Sequence, residues 1–519
     1  MRAKPESKLH SWILIYMLVG LFSLRLLIFQ TRWFNPDEFE HLHAAWCTSK
    51  GSLAYRDFFE HHTPWFYYLL SPIVHGADKS EGTAITALFA ARAVSLAITT
   101  CSVLVLISVG SISQRETDLL SGNFVGLSSA LFIAGMPTFL DKTIEIRPDV
   151  PALLFWLCCL AVLSKALQKP RAFLFLISGF CLGAAIMFTQ KLLFTLPGVA
   201  GTAIIWVLHS GRGEARRKRL TLVCVFATGL ALPMLATWSF FELHSAGQDF
   251  FRNNFVLNAR WKAAEPPQPF LRYILTDSWP IVLMALVGVG LLIRDCFATA
   301  PLDKSMPFEQ KRPRNPDWAG ILFLGTAISL LLGLEIIPVA MAQYYLPLLP
   351  LVCLFASRFM ASMIVRLGPR FRLTYLLVLL SIMQISPVSH ALKTRYWNNS
   401  RQLVQLSLVM SHSSCEDLIL DGWKGLGVFR PHAWYYYFLH PEIRKMLPAK
   451  SLDAFLKDLE SGRVVPKIIT LDNNLRALSG RFLLFVQTHY ENIGDDIWVR
   501  RSEQTHGPNI ETSQRNSGV

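Results

Sequence analysis

The residues best suited to chemistry crowd one hydrophilic stretch: Asn35-Pro36-Asp37-Glu38-Phe39-Glu40-His41, then Tyr55-Arg56-Asp57-Phe58-Phe59-Glu60-His61-His62-Thr63-Pro64, with Asp78 and Glu81 close behind. Carboxylates and imidazoles gathered in this way can exchange protons or bind a divalent cation. Part of the pattern has a plain structural meaning. Asn35 suits an N-cap, Pro36 the first helical position, Asp37 the positive end of the helix dipole and Glu38 a capping box. That meaning does not extend to Glu40 and His41, which share the face of Asp37 at helical periodicity, nor to the second acid–histidine cluster. A further polar connector runs from Asp141 to Asp149, where Arg147 and Asp149 stand at the mouth of a helix beginning near Pro151. Arg147 can clamp an anion with its planar fork, or merely neutralise Asp149. Lys191 and Arg260 are cations with equally plain alternatives, a snorkelling interfacial lysine and an exposed loop charge.

The elements that must hold these residues are membrane spans. Of 519 residues, 52% are hydrophobic and only 17% charged, which excludes both an ordinary multidomain soluble protein and a disordered chain. Apolar runs predict about eleven transmembrane helices. They lie near 11–30, 83–110, 119–138, 150–167, 172–188, 193–210, 220–242, 278–294, 317–335, 344–363 and 374–390. The first lacks a small-residue cleavage site and is expected to be retained. The net charge of +14 resides largely in alternate connectors, including Lys165, Lys169, Arg171, then Arg212 to Arg219, then Lys304 to Arg314, then Arg366 to Arg372. This bias places the N-terminus in the cytoplasm, puts the acid–histidine loops and the C-terminus outside, and accounts for the positive charge without nucleic acid. Two outer loops, 31–82 and 243–277, are too long to be simple turns. The helical pattern Pro36 to Thr48 is too short to span and is expected to lie in the membrane interface. The cysteines sit mostly within apolar runs and imply neither metal spacing nor a disulfide framework.

From about residue 391 the composition becomes soluble. Strand candidates Leu418–Leu420, Lys467–Leu471 and Ile497–Val499 alternate with helical patterns at Ser451–Glu460 and Gly480–Tyr490, as in a small α/β domain. The predicted organisation is a membrane region 1–390, an extracytoplasmic α/β domain 391–501 and a disordered tail 502–519.

The Asp-Glu pair after the first span, the Gly51 to Trp65 stretch, Arg147-Pro148-Asp149 before the fourth span, Pro269-Phe270, and Gln343-Tyr344-Tyr345-Leu346-Pro347 resemble, in that order, the GT-C membrane glycosyltransferases. The likeness is to bacterial relatives of the protein O-mannosyltransferases and of the lipid A aminoarabinose transferase. It implies a GT-C fold and a hexosyl- or pentosyltransferase of the cytoplasmic (inner) membrane. Such an enzyme moves sugar from a polyprenyl-phosphate donor to a glycolipid, glycan or protein hydroxyl on the outer face. The family's first-loop aspartate falls on Asp37, with Glu38 beside it, and the acid of the third-to-fourth span connector falls on Asp149. The family's acid-His-Lys-Pro-Pro-like stretch falls on Glu60, His61 and His62, with His62 where many relatives carry lysine and Thr63 replacing the first proline. The family's tyrosines fall on Tyr344 and Tyr345. The chemistry asks for the same types: a carboxylate to receive the acceptor proton or organise the phosphate site, for which Asp37 is placed, and cations for the departing phosphate, for which Arg147, Lys191, Arg260 and the histidine pair are candidates. No cofactor is demanded, although the cluster suits a divalent metal. The rival functions are a transporter or flippase of polyprenyl-linked glycans, whose intramembrane charges would have to be Arg25, Arg92 or Arg358, and a metallohydrolase built on His41, His43, His61 and His62. No His-Glu-x-x-His pattern supports the latter.

Overall fold

The computed structural model describes residues 5–113, 123–261, 270–297, 316–337, 341–394 and 396–501. The expected tail after Arg501, Pro269 and the cationic stretch from Lys304 to Arg314 lie outside them. Every predicted span falls on an apolar helix. Among the described residues eight are long and apolar enough to cross a membrane: Lys8–Phe29, Glu81–Ile112, Asp149–Gln168, Gln190–Leu208, Glu214–Leu243, Trp318–Ile336, Leu349–Arg366 and Phe371–Thr394. The other three, Phe124–Gly135, Ala172–Phe188 and Trp279–Arg294, are shorter. Large apolar side chains such as Leu235, Leu286 and Ile336 are exposed on the outside of this bundle, as lipid contact requires. The chain is a multi-pass membrane protein.

Small residues set how closely the spans approach. A side chain at Gly179 would collide with the Phe226 carbonyl and one at Gly229 with the Leu176 carbonyl, so the Ala172–Phe188 and Glu214–Leu243 helices cross nearly backbone to backbone. The charges within spans are partnered. Arg92 pairs with Glu38 at 2.7 Å, Arg358 with Asp317 at 2.6 Å, and Arg25 donates to Thr143 Oγ1 at 2.6 Å between the rings of Phe22 and Phe139. None of the three lines the main polar cleft.

The first outer loop carries a second helix, Trp65–Val74, and the Pro36–Ser49 helix, expected to lie in the membrane interface, is covered by protein: residues Glu38 to Trp46 are all buried. Its N-terminus forms as expected, with Asn35 Oδ1 accepting from the Asp37 N–H and Glu38 Oε1 accepting from the Asn35 N–H. Its two polar–apolar faces are covered by different partners. Asp37, Glu40 and His41 line the cleft, whereas Phe39 packs under Gly425 and His43 Nδ1 lies 2.9 Å from the Val428 carbonyl. Gly425 has φ +77° and no room for a side chain above Phe39, so this seat requires glycine.

The covering partner is the C-terminal region. Strands β1 (Ile419–Asp421), β2 (Ile468–Thr470), β3 (Tyr490–Gly494) and β4 (Ile497–Arg500) form one sheet in the order β1-β2-β4-β3. The β1–β2 pair is parallel, with Ile419 opposite Ile468, and the other pairs are antiparallel. Helices Ala449–Glu460 and Gly480–His489 supply Phe455, Leu459, Phe482 and Val486 to a core with Leu420, Ile469 and Leu471. This small α/β unit matches the expected strands and helices and adds β3.

Candidate functional site

Five connectors of the bundle converge at one end with the C-terminal region above them. They enclose a cleft of about 270 Å³ lined by Asp37, Glu40 and His41 from the Pro36–Ser49 helix, His61 and His62 from the same loop, and Arg147 and Asp149 from the third-to-fourth span connector. Lys191, Trp261 and Tyr344 come from later connectors, and Trp423, Phe438, His440 and Glu442 from the C-terminal region.

Local chemistry fixes each group. Arg147 Nη2 reaches Asp37 Oδ2 at 2.8 Å, and its Nε is hydrogen-bonded to the buried Glu145. Glu145 also receives Arg32 at 2.7 Å and Lys142 at 2.8 Å. The alternative in which Arg147 neutralises Asp149 is therefore corrected, because Asp149 is paired with Lys191 at 3.1 Å. Lys191 Nζ also sits 3.7 Å from the centre of the Tyr344 ring, so this lysine is held in the cleft and does not snorkel away from it. Burial would raise the Asp37 carboxyl, but Arg147, with His41 and His440, outweighs it and holds Asp37 well below the usual carboxylate range.

Glu60 stands just behind the lining. Its Oε1 accepts from the backbone N–H groups of His61 and His62 and lies 2.9 Å from His62 Nδ1, while its Oε2 accepts from the Tyr437 hydroxyl at 3.0 Å. Burial acts against ionisation of Glu60, but the hydrogen bond with His62 prevails and holds its carboxyl below the usual range. Glu40 is pushed in the opposite direction, well above the usual carboxylate range, first by burial and then by Glu60 and Asp37. Burial and His62 lower His41 to about 3, so its imidazole is neutral. Glu40, Glu60, His61 and His62 each offer a donor atom within 4.8 Å of the others, and His61 Nδ1 is buried without a hydrogen-bond partner. Two carboxylates and two imidazoles suit a divalent metal, and a cation there would favour the ionised form of Glu40. His43, also considered as a ligand, is on the opposite face against Val428 and lies outside this set.

Three further expectations are corrected. Glu38 is fully buried behind the cleft, with Arg92 donating to both its oxygens and the backbone N–H of Ile146 donating to one. Arg260 is exposed and does not line the cleft; its neighbour Trp261 does, stacking on His61 at 4.9 Å. Tyr345 is buried outside the cleft that Tyr344 enters, because consecutive residues of the short Ala342–Tyr345 3-10 helix point in different directions. Sequence reasoning missed Trp423, His440 and Glu442, for which His440-Pro441-Glu442, an acid and a histidine at a helix start, was the available signal.

Residues 83–239 match the family model described as dolichyl-phosphate-mannose-protein mannosyltransferase. ArnT from Cupriavidus metallidurans bound to undecaprenyl phosphate superposes with a TM-score of 0.60 at 12% identity, over 96% of this chain and 99% of that one. The same protein in the apo state gives 0.55 at 14% identity, over 90% and 94%. This is a GT-C membrane glycosyltransferase fold. The apo oligosaccharyltransferase of Archaeoglobus fulgidus shares the GT-C fold more distantly, with a TM-score of 0.50 at 12% identity over 92% of this chain and 71% of that one. No curated protein sequence matches the chain.

Proposed function

We propose that this protein transfers a sugar from a polyprenyl-phosphate donor to a hydroxyl of an envelope glycolipid, glycan or protein, on the outer face of the cytoplasmic membrane. In this reading the N-terminus is cytoplasmic and residues 391–501 form an outer domain over the catalytic membrane region 1–390. The observation that carries it is the cleft itself: Arg147 and Lys191, two cations held by Asp37 and Asp149, stand where the connectors of the spans meet. A lipid-borne phosphate at that level keeps its tail in the bilayer and its charge beside the guanidinium and ammonium groups. The structural likeness to a transferase whose lipid is undecaprenyl phosphate supports the same donor class.

Arg147 binds the phosphate and stabilises the charge that grows on it as the sugar–phosphate bond breaks. Asp37, held ionised by Arg147, is a weak proton acceptor at neutral pH, and its part is to organise this phosphate site. Asp149 holds Lys191 for the same purpose. A divalent ion on Glu40, Glu60, His61 and His62 would add positive charge to this wall of the cleft.

The flippase reading loses its support because Arg25, Arg92 and Arg358 are held within the protein, away from the cleft. The deciding experiment compares the masses of envelope lipids and glycans with and without the gene. The expected result is one acceptor lighter by a hexose or pentose when the gene is absent, restored by the wild-type protein. Asp37→Asn should restore about 100-fold less product or worse while inserting and folding normally. Identical envelopes with and without the gene would refute the function.

A further inference from the structure

The cleft contains two glutamate–histidine pairs, and only one is accounted for by the first loop. The second comes from the C-terminal region: His440 Nδ1 contacts Glu442 Oε2, Pro441 starts the short helix between them, and both side chains line the cleft with Asp37 and Arg147. The His440 ring is held by Trp423, edge to face at 4.5 Å, and by Phe438, stacked at 6.3 Å. Trp423 lines the same wall and has a buried indole N–H without a hydrogen-bond partner. The Glu442 carboxylate lies against His440 Nδ1, although the two atoms are not in hydrogen-bonding geometry, and leaves the other ring nitrogen, Nε2, for a substrate proton. On the donor side Asp37 is committed to Arg147, and His62, although fixed by Glu60, belongs with Glu40, Glu60 and His61 to the set that suits a divalent metal.

We propose that His440 is the group that takes the proton from the acceptor hydroxyl, with Glu442 positioning it. The inference rests on the transferase reading above and adds the acceptor half of the reaction. The hydroxyl oxygen forms the new bond to the anomeric carbon, and the bond from that carbon to the donor phosphate oxygen breaks with its electron pair leaving on the polyprenyl phosphate. The hydroxyl proton passes to His440 Nε2, Glu442 stabilises the imidazolium, and the proton then leaves to water. The wall formed by Trp423, Phe438 and His440 is accordingly where the acceptor hydroxyl lies, facing the phosphate cations across the cleft.

The test uses the full-length protein in the gene-deleted strain, with the acceptor mass difference as the readout, and purified protein with undecaprenyl phosphate as the binding probe. His440→Gln should reduce transfer by about 100-fold or more, the range of a lost general base. Binding of undecaprenyl phosphate should be unchanged, which also reports that the cleft is folded. His440→Ala should recover part of its activity when imidazole is supplied, a response that a structural role would not give. Burial lowers His440 below the ordinary imidazole value; of the groups facing it, Glu442 and Asp37 oppose that shift and His61 adds a second imidazole. Glu442→Gln should therefore move the acid limb of the pH–rate profile to lower pH, and His440→Gln should abolish that limb.

Transfer by His440→Gln close to wild type, or loss without imidazole rescue and with an unchanged acid limb in Glu442→Gln, overturns the inference. If Asp37→Asn is inactive while His440→Gln transfers normally, the transferase reading stands and this step alone fails. If the wild-type gene changes no envelope mass, the reading fails and the inference with it.

Discussion

Replacing Glu38 by glutamine should disable the protein by loosening it and not by removing a reacting group. Glu38 and Arg92 have fully buried side chains, with Arg92 Nε 2.8 Å from Glu38 Oε2 and Nη2 2.7 Å from Oε1. The Asn35 N–H adds a bond to Oε1 at 2.8 Å and the Ile146 N–H one to Oε2 at 3.1 Å, so each carboxylate oxygen meets donors alone. A glutamine amide presents an oxygen to one pair and its own N–H donors to the other, and leaves Arg92 with one neutral amide oxygen and the carbonyls of Phe29, Arg32 and Trp33 but without its counter-charge. Breaking such a buried pair costs about 3–5 kcal/mol. Against a total stability on the order of 5–15 kcal/mol, that is a large fraction. Thermal unfolding of purified protein, run beside the transfer assay, should show a clearly lower midpoint for Glu38→Gln, with activity lost in step with folded protein. Asp37→Asn provides the contrast: it gives up its pair with Arg147, but Arg147 keeps Glu145 and Asp37 is partly exposed, so its midpoint should fall less than that of Glu38→Gln. Removing both charges in Glu38→Leu with Arg92→Leu should regain part of the stability, since no uncompensated ion remains. A Glu38→Gln protein that melts like wild type but transfers nothing would refute this argument and return Glu38 to the chemistry.

Arg147→Ala should weaken undecaprenyl phosphate binding by about ten- to hundredfold, the worth of one charge-assisted hydrogen bond, and Arg147→Lys should recover only part because an ammonium cannot serve Asp37, Glu145 and a phosphate in one plane; equal binding by Arg147→Ala would place the phosphate elsewhere. Burial, and secondarily His432, lower His43 to about 3, below its unfolded value near 6.5. Between those values the unfolded chain binds more protons, so stability falls as pH drops from about 6.5 towards 3, and His43→Gln should flatten that slope in thermal midpoints measured from pH 7 to pH 5. A topology reporter fused at Ser400 should be active only outside the cytoplasm and one at Gly213 only inside; the reverse pattern would overturn the orientation.

The spans were readable because an apolar run long enough to cross a bilayer has few other uses, and the helix start at Asn35-Pro36-Asp37-Glu38 was readable because capping is local. Asp37, Arg147, Asp149 and Lys191 could be selected as charges at span ends, but their pairing could not, since nothing near Asp149 in sequence says that Lys191 neutralises it. Glu38 was misjudged for the same reason: its partner Arg92 lies in the next span. The amphipathic Pro36–Ser49 pattern reports two unlike surroundings, yet a lipid interface and a covering protein layer leave the same periodicity. His440 and Glu442 lie in a soluble-looking segment, where a single acid–histidine pair is ordinary until the fold brings it to the membrane.

The seat of Phe39 under Gly425, and of His43 beside Val428, also has a temporal meaning. A helix made near the start of synthesis receives its cover from residues made near the end, so the cleft has no upper wall until the C-terminal region has settled on the bundle. Until then the bundle lacks the wall of the cleft formed by Trp423, Phe438, His440 and Glu442. The same late closure leaves the buried face of the Pro36–Ser49 helix uncovered for as long as the C-terminal region remains unfolded.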